Sequence, residues 1–373
     1  MLDLSTIPVI DGHLHPPLAT ESVDRHPFAT FFTEASDPEI LARHLPSTRF
    51  FARAVRDLAA LYGCEPRLEE IAAVHRRLGT REVLRRCTAA GNVAALIVDD
   101  GYAGGDEALS VAEMGAAAGA PARRVVRLES VAASLATGHN DIATFEATLF
   151  DVLDEARAQG AVALKSIVAY RCGLVPLFPT RAEATAGLRA EHARLATPPP
   201  RLTDPRLLYF VLERALEWAG EHALPVQIHT GFGDRDLDLT RANPALLRPL
   251  LEEPRFARCP IVLLHAGYPY SREAGYLAAM YAHVYVDWSL ANPLLAGPVL
   301  VQVLHELLAL APASKLLYGS DAWGIPDWIY LGARYGREAL AAVLADEPDA
   351  PVLARRILHD NAAALYGLPA ANG

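Results

Sequence analysis

The segment Asp11-Gly12-His13-Leu14-His15 closes a short apolar run. Residues i and i+2 of a strand point to the same face, so His13 and His15 can converge on one cation. A lone histidine is more often a hydrogen-bonded structural residue. Two at this spacing, at a strand end, favour a metal. Other candidates end other apolar runs: His229 closes PVQIHT, His265 closes IVLLHA and Asp321 closes LLYGSD, while Lys165 lies inside AVALKSIVAY. Neutral imidazole and carboxylate are suitable zinc ligands. Each has a plainer use: His229 as a satisfied core histidine, Asp321 as a helix cap, Lys165 as an ion-pair partner. Such residues recurring at the ends of several separate runs make chance a poor explanation. The remaining histidines fall in helical or loop segments and receive no metal role.

These residues need a frame that gathers strand ends. Eight compact apolar runs read as strands: Pro8–Ile10 running to His15, Val93–Asp99, Val125–Glu129, Val162–Ile167, Pro225–His229, Ile261–His265, Val284–Asp287 and Leu316–Ser320. They lack clean polar alternation, as expected of parallel strands buried on both faces. Helical patterns separate most of them, among them Ala143–Ala158, Leu207–Glu221, Gly275–Tyr281 and Val299–Leu310. This alternation predicts a (β/α)8 TIM barrel, whose strand ends deliver side chains to one mouth. Two connections are overlong, about 16–92 and 171–205. They contain helical stretches at Asp37–Arg43, Thr48–Tyr62, Arg67–Leu78 and Thr180–Leu195. Loops after barrel strands lie on the catalytic face, so both insertions are expected to cap the site. The alternative is helical decoration of the barrel flank. The whole chain, 1–373, is then read as one barrel domain.

Composition agrees. Of 373 residues, 52% are hydrophobic and 21% charged, which excludes a disordered chain. The net charge of −10 disfavours nucleic acid as a partner. No apolar run is long enough for a membrane helix, and the first fifteen residues show no leader pattern. A cytoplasmic protein acting on a small molecule, with homo-oligomerisation open, is the expectation. The four cysteines are scattered, without a C-x-x-C pair. Of the 34 basic residues only Lys165 and Lys315 are lysines. Lys315 precedes the last strand and reads as a solvated surface charge.

The order HxH on strand 1, Lys on strand 4, His on strands 5 and 6 and Asp on strand 8 resembles the amidohydrolase superfamily. The motifs VIDGHLH (9–15), IVDDGY (97–102), LKSIVAYRCGL (164–174), IHTGFGDRDLDL (228–239), LLHAGYPYSREAGYLA (263–278) and LYGSDAWGIPD (317–327) carry a narrower likeness to FluG/nodulin-type amidohydrolase-like domains. The resemblance implies a metal-dependent hydrolase that cleaves an amide-like C–N bond with a metal-activated hydroxide. It implies two divalent ions, zinc first, with manganese or iron as the other choices. His13, His15 and Asp321 would hold one ion, and His229 and His265 the other. Lys165, carboxylated by CO2, would bridge them, and Asp321 would move the proton. An ammonium carries only donors and cannot ligate, and arginine does not deprotonate, so a lysine suits this position in an arginine-rich chain.

Around this core lie the substrate candidates. Arg171, after Tyr170, can hold a substrate carboxylate or pair with Asp99, Asp100 or Glu129. Gly231 and Gly233 allow a tight turn or a close backbone approach. Asp234 can bind a polar group or cap its turn. Tyr268 and Trp323 are pocket walls or packing residues. Two rival functions stand beside the hydrolase. One is a mononuclear zinc decarboxylase resembling aminocarboxymuconate-semialdehyde decarboxylase, with His265 acting on substrate. The other is a non-catalytic scaffold.

Overall fold

The structure, a computed structural model, describes residues 2–101, 107–194, 201–295 and 297–368. Tyr102, Leu195 and the 197–200 run of the second insertion lie outside the described residues. The strands are β1 (Val9–Leu14), β2 (Val93–Asp99), β3 (Ala122–Arg127), β4 (Ala163–Ser166), β5 (Val226–Ile228), β6 (Ile261–Leu263), β7 (Val284–Asp287) and β8 (Leu316–Leu317). They form one parallel sheet in the order β1 to β8. The ring is drawn together beyond β8 by backbone bonds to the first strand. Gly12 N donates to Tyr318 O at 2.9 Å, Asp321 N to His13 O at 2.9 Å, and His15 N to Ala322 O at 2.7 Å.

Strands β1 to β3 have six or seven residues and β4 to β8 have two to four. Strand 3 differs from its expected bounds: it begins at Ala122, and Glu129 already stands in the first turn of a helix. The longer helices are α1 (Arg49–Tyr62), α2 (Leu68–Leu78), α3 (Thr80–Ala90), α4 (Val111–Ala118), α5 (Leu128–Gly138) and α6 (Ile142–Ala158). They continue with α7 (Arg181–Arg194), α8 (Pro205–His222), α9 (Ser271–Met280), α10 (Pro298–Leu308) and α11 (Asp327–Val343). No helix among the described residues is long and apolar enough to cross a membrane.

The two insertions divide their work. In the first, α3 is the barrel's own helix, packed against β2, α4 and α11. Helices α1 and α2 pack beside α3 and α11 on the flank, burying Phe50 against Trp328 at a ring-centroid distance of 5.4 Å. The segment that leans over the mouth is the short one at Phe28–Phe32 and the residues after it. It is held by Trp328, whose Nε1 donates to Phe31 O at 2.6 Å. In the second insertion α7 lies on α5, α6 and α8, outside the barrel, while Tyr170, Arg171 and Arg201 reach the mouth. The overhang therefore comes from short segments, and the long helices bury apolar faces against barrel helices.

The barrel floor is filled by Ile10, Ala95, Ile97, Val125, Ala163, Val262 and Leu317, with Ala362, Ala363 and Tyr366 closing it from below. The four cysteines are free thiols. Lys315 is not merely solvated. Its Nζ donates to Ala278 O at 3.0 Å and Tyr281 O at 2.5 Å, satisfying carbonyls at the C-terminal end of α9.

Candidate metal centre

Strand parity brings His13, His15, Lys165, His229, His265 and Asp321 to one cavity of about 140 Å³ at the C-terminal ends of the strands. Asp321 Oδ1 lies 3.3 Å from His13 Nε2 and 3.4 Å from His15 Nε2. Lys165 Nζ is 3.0 Å from His13 Nε2, and His229 Nδ1 is 3.0 Å from His265 Nε2. Ligand atoms of His13, His265 and Asp321 fall within 4.8 Å of one another, as do those of His13, His15 and Asp99.

The far nitrogen of each imidazole decides what the near one offers. His13 Nδ1 faces Gln227 Oε1 at 2.9 Å, and Gln227 is itself turned by donating from Nε2 to Gly12 O at 2.8 Å. His15 Nδ1 faces the Asp99 carbonyl at 2.9 Å. His265 Nδ1 faces Ser289 Oγ at 3.0 Å, and that hydroxyl donates to Asp287. His229 Nε2 faces the Phe232 carbonyl at 3.2 Å. Each far nitrogen meets an acceptor and so carries the proton. Each near nitrogen presents a lone pair to the cavity.

Burial, reinforced by the nearby Lys165 charge, pulls the His13 pKa down to about 4. Burial also holds His229 and His265 well below the ordinary imidazole value. These rings are neutral at pH 7, the form that ligates. Asp321 Oδ1 is shut off from solvent and accepts no hydrogen bond. Acceptors facing acceptors at these distances repel unless a cation lies among them. A tetrahedral zinc with ~2.05 Å bonds sets its ligand atoms about 3.3 Å apart. The donor atoms of His13, His265 and Asp321, or of His13, His15 and Asp99, are therefore close enough to hold a metal ion, with His229 beside His265. Backbone strain marks the same place: His265 (φ 64°) and Asp321 (φ 55°) are non-glycine residues in the left-handed region. Because Gln227 sets the His13 tautomer, Gln227→Leu is expected to weaken metal affinity about 10- to 100-fold. Competition with a chromogenic chelator measures it, and unchanged affinity would remove Gln227 from the site's support.

Lys165 is 1% exposed. Burial lowers its pKa to about 8 against the opposing pull of Asp99 and Asp321. A neutral fraction of the amine is thus available near pH 7.

The remaining expected residues separate. Tyr170, Arg171, Asp234 and Trp323 line the cavity. Tyr170 packs its ring on His229, with centroids 4.6 Å apart, and its hydroxyl accepts from Asp234 N at 3.2 Å. Gly233 makes this approach practicable, since a Cβ there would stand 2.0 Å from the Tyr170 oxygen. Asp234 also caps its own turn, accepting from Asp236 N at 2.8 Å. Of the carboxylates offered to Arg171 by sequence, Asp99 pairs with Arg127 at 2.6 Å and Asp100 with Arg124 at 2.7 Å, while Glu129 accepts from Ser166 and Ile167 N through Oε1 alone and acts on Arg171 only through its charge. Arg171 forms no ion pair among the described residues, and its buried Nε has no hydrogen-bond partner. Tyr268 takes the packing role of its two alternatives. The left-handed turn at His265–Ala266 redirects the chain, and the Tyr268 ring packs edge-on against Phe232 at 5.3 Å, away from the cavity.

Several contributors were not named from the sequence, Arg127 and Arg201 among them. Gln227 had a signal: it is a polar residue in an apolar strand, on the same face as His229. Asp287 and Ser289 follow the same strand-end logic at β7. Glu34 had none. It lines the cavity and touches the indole of Trp323. Burial and the charges of Asp321 and Asp234 raise its pKa to about 8. A neighbouring hollow of about 550 Å³ shares Glu34, Asp234, Asp236 and Trp323 with the cavity, so the two join into an entry.

An eight-stranded parallel barrel with imidazoles, a buried lysine and a carboxylate at its strand ends is the architecture of a metal-dependent hydrolase fold. The chain matches the amidohydrolase family over residues 10–368 and belongs to it. It is 30% identical to protein fluG of Emericella nidulans over 92% of its own length, and spans 43% of that longer protein. Among solved structures it is similar to a putative metal-dependent hydrolase from Lactobacillus casei, with a TM-score of 0.85 and 28% identity. That likeness covers 98% of this chain and 96% of the other. Uronate isomerase from Thermotoga maritima shares the fold, with a TM-score of 0.65 at 14% identity over 97% of this chain and 95% of that one.

Proposed function

We propose that the protein hydrolyses an amide-like C–N bond of a small polar substrate. In this reading His13, His15 and Asp321 would hold one divalent ion, His229 and His265 would hold a second, and carboxylated Lys165 would supply a further anionic ligand. The observation that carries the reading is the set of imidazole lone pairs converging with the orphaned Asp321 oxygen, each far nitrogen tied to an acceptor.

Bound divalent ions would supply a Lewis acid for the substrate carbonyl and water of lowered pKa. The protein's part is positional. Asp321, facing His13 and His15, takes the proton of the attacking water and passes it to the leaving nitrogen. The neutral amine of Lys165 adds to CO2, losing a proton, and becomes an anionic carbamate in place of an ammonium. Tyr170 and Trp323 flank the entry and exclude water, and Arg171 receives a substrate carboxylate.

The test is elemental analysis of the purified protein, with product analysis on a panel of small carboxamides. Two divalent ions per chain and release of ammonia or amine are expected. One ion with unmodified Lys165 in a high-resolution map would remove the two-ion version. Release of CO2 instead of ammonia or amine would move the protein to the decarboxylase reading.

A further inference from the structure

The cavity is polar in a directed way. In the ring of strands, β4 and β8 stand on opposite sides of the mouth. Beyond β4 lies Arg171, with an orphaned Nε and no carboxylate partner among the described residues. Arg201 stands beside it and is shared with the rim residue Asp236 at 2.7 Å. On the far side is Glu34, set against Trp323 from the segment after β8. Glu34 Oε1 has no solvent contact, and the polar group set against this carboxyl is the Trp323 indole. The charges near it are Asp321 and Asp234, both acidic, and it forms no ion pair among the described residues. One wall thus holds a guanidinium with no ion pair among the described residues, and the other a carboxyl with an indole but no cation against it. Burying either without a partner costs free energy that a ligand of opposite charge recovers. A simple anion would satisfy Arg171 and leave the buried Glu34 carboxyl with no cation to favour its ionised form. A simple cation would do the reverse.

We propose that the substrate carries a zwitterionic head, a carboxylate on Arg171 and an ammonium on Glu34, as an α-amino acid does. This rests on the hydrolase reading only for the direction of the tail: the group beyond the head, pointing to the strand ends, would bear the scissile amide. Glu34 is then a specificity-determining residue and Arg171 its counterpart.

The test uses three probes of one carbon skeleton with no bond to cleave: L-norvaline, pentanoate, which lacks the ammonium, and n-butylamine, which lacks the carboxylate. Binding to the metal-loaded protein is followed by calorimetry, with metal content measured before and after. L-norvaline is expected to bind at least about tenfold more tightly than either single-charge probe, the scale of one ~1.5 kcal/mol charge-assisted hydrogen bond. Glu34→Gln should lose that advantage while leaving pentanoate binding unchanged or tighter. Arg171→Gln should weaken L-norvaline and pentanoate together. Glu34→Asp, which keeps an ionisable carboxyl, should restore part of the preference that Glu34→Gln loses. Pentanoate binding as tightly as L-norvaline, an unaltered preference in Glu34→Gln, or no binding of any probe would each overturn the proposal. None of these outcomes depends on catalysis. A failed amide panel with a retained L-norvaline preference would sink the hydrolase reading and leave the zwitterion pocket standing.

Discussion

Asp321→Asn is expected to lower kcat/KM on a cleaved amide by about 10²- to 10⁴-fold, the range for loss of a positioned general acid–base. The substitution keeps volume and the backbone bond from residue 321 N to His13 O, so the barrel should close as before. What changes is the atom facing the two imidazoles. Asp321 Oδ1 stands 3.3 and 3.4 Å from His13 Nε2 and His15 Nε2. An asparagine NH2 turned that way would donate to their lone pairs and occupy the space a cation needs. Metal content should therefore fall with activity, and steady-state kinetics with elemental analysis would read both. Activity within tenfold of the parent, at unchanged metal content, would remove Asp321 from the chemistry.

Lys165→Arg separates the two-ion from the one-ion reading. Arginine keeps the positive charge and much of the stem, but it does not deprotonate and cannot form the carbamate. If the carbamate bridges two ions, the variant should hold at most one and lose about 10²- to 10³-fold in kcat, the scale of deleting one preorganised electrostatic group. Thermal unfolding is read alongside, since Lys165 is 1% exposed and its neighbours must accommodate the larger head. A variant that keeps both its ion count and its rate would leave Lys165 as an ion-pair residue and favour the mononuclear alternative.

Much of this centre was legible because strand geometry does simple arithmetic. His13 and His15 share a face through the two-residue period, and Lys165 and Gln227 sit side by side in the β4–β5 register. Polar residues at the ends of apolar strands therefore declare their direction. Residues positioned by turns do not. Nothing about His265 and Ala266 marks a left-handed turn, a conformation usually left to glycine, so the sequence alone leaves Tyr268 open between pocket wall and packing residue. Glu34 is further out of reach of such reasoning. Its segment has no period, and its place is set by Phe31 and Trp328, almost three hundred positions apart in the chain. The insertions were recognised by length, but length does not say which part leans inward. That is decided by which helices have apolar faces to bury against α11 and α8.

The floor of the barrel has a bearing on how the centre comes into being. Tyr366 meets Gln227 Nε2 at 2.8 Å from below, and Gln227 holds His13 from the side. The orientation of the first imidazole is thus tied to a contact between residues 227 and 366, and to the Gly12 carbonyl far earlier in the chain. Contacts of such long sequence separation form late in folding, because loop-closure entropy must be overcome before they are rewarded. In a partly assembled barrel the His13 ring is free to rotate and to exchange its tautomer. Tight metal uptake during refolding should then be a late event, a clock for ring closure rather than a seed for it.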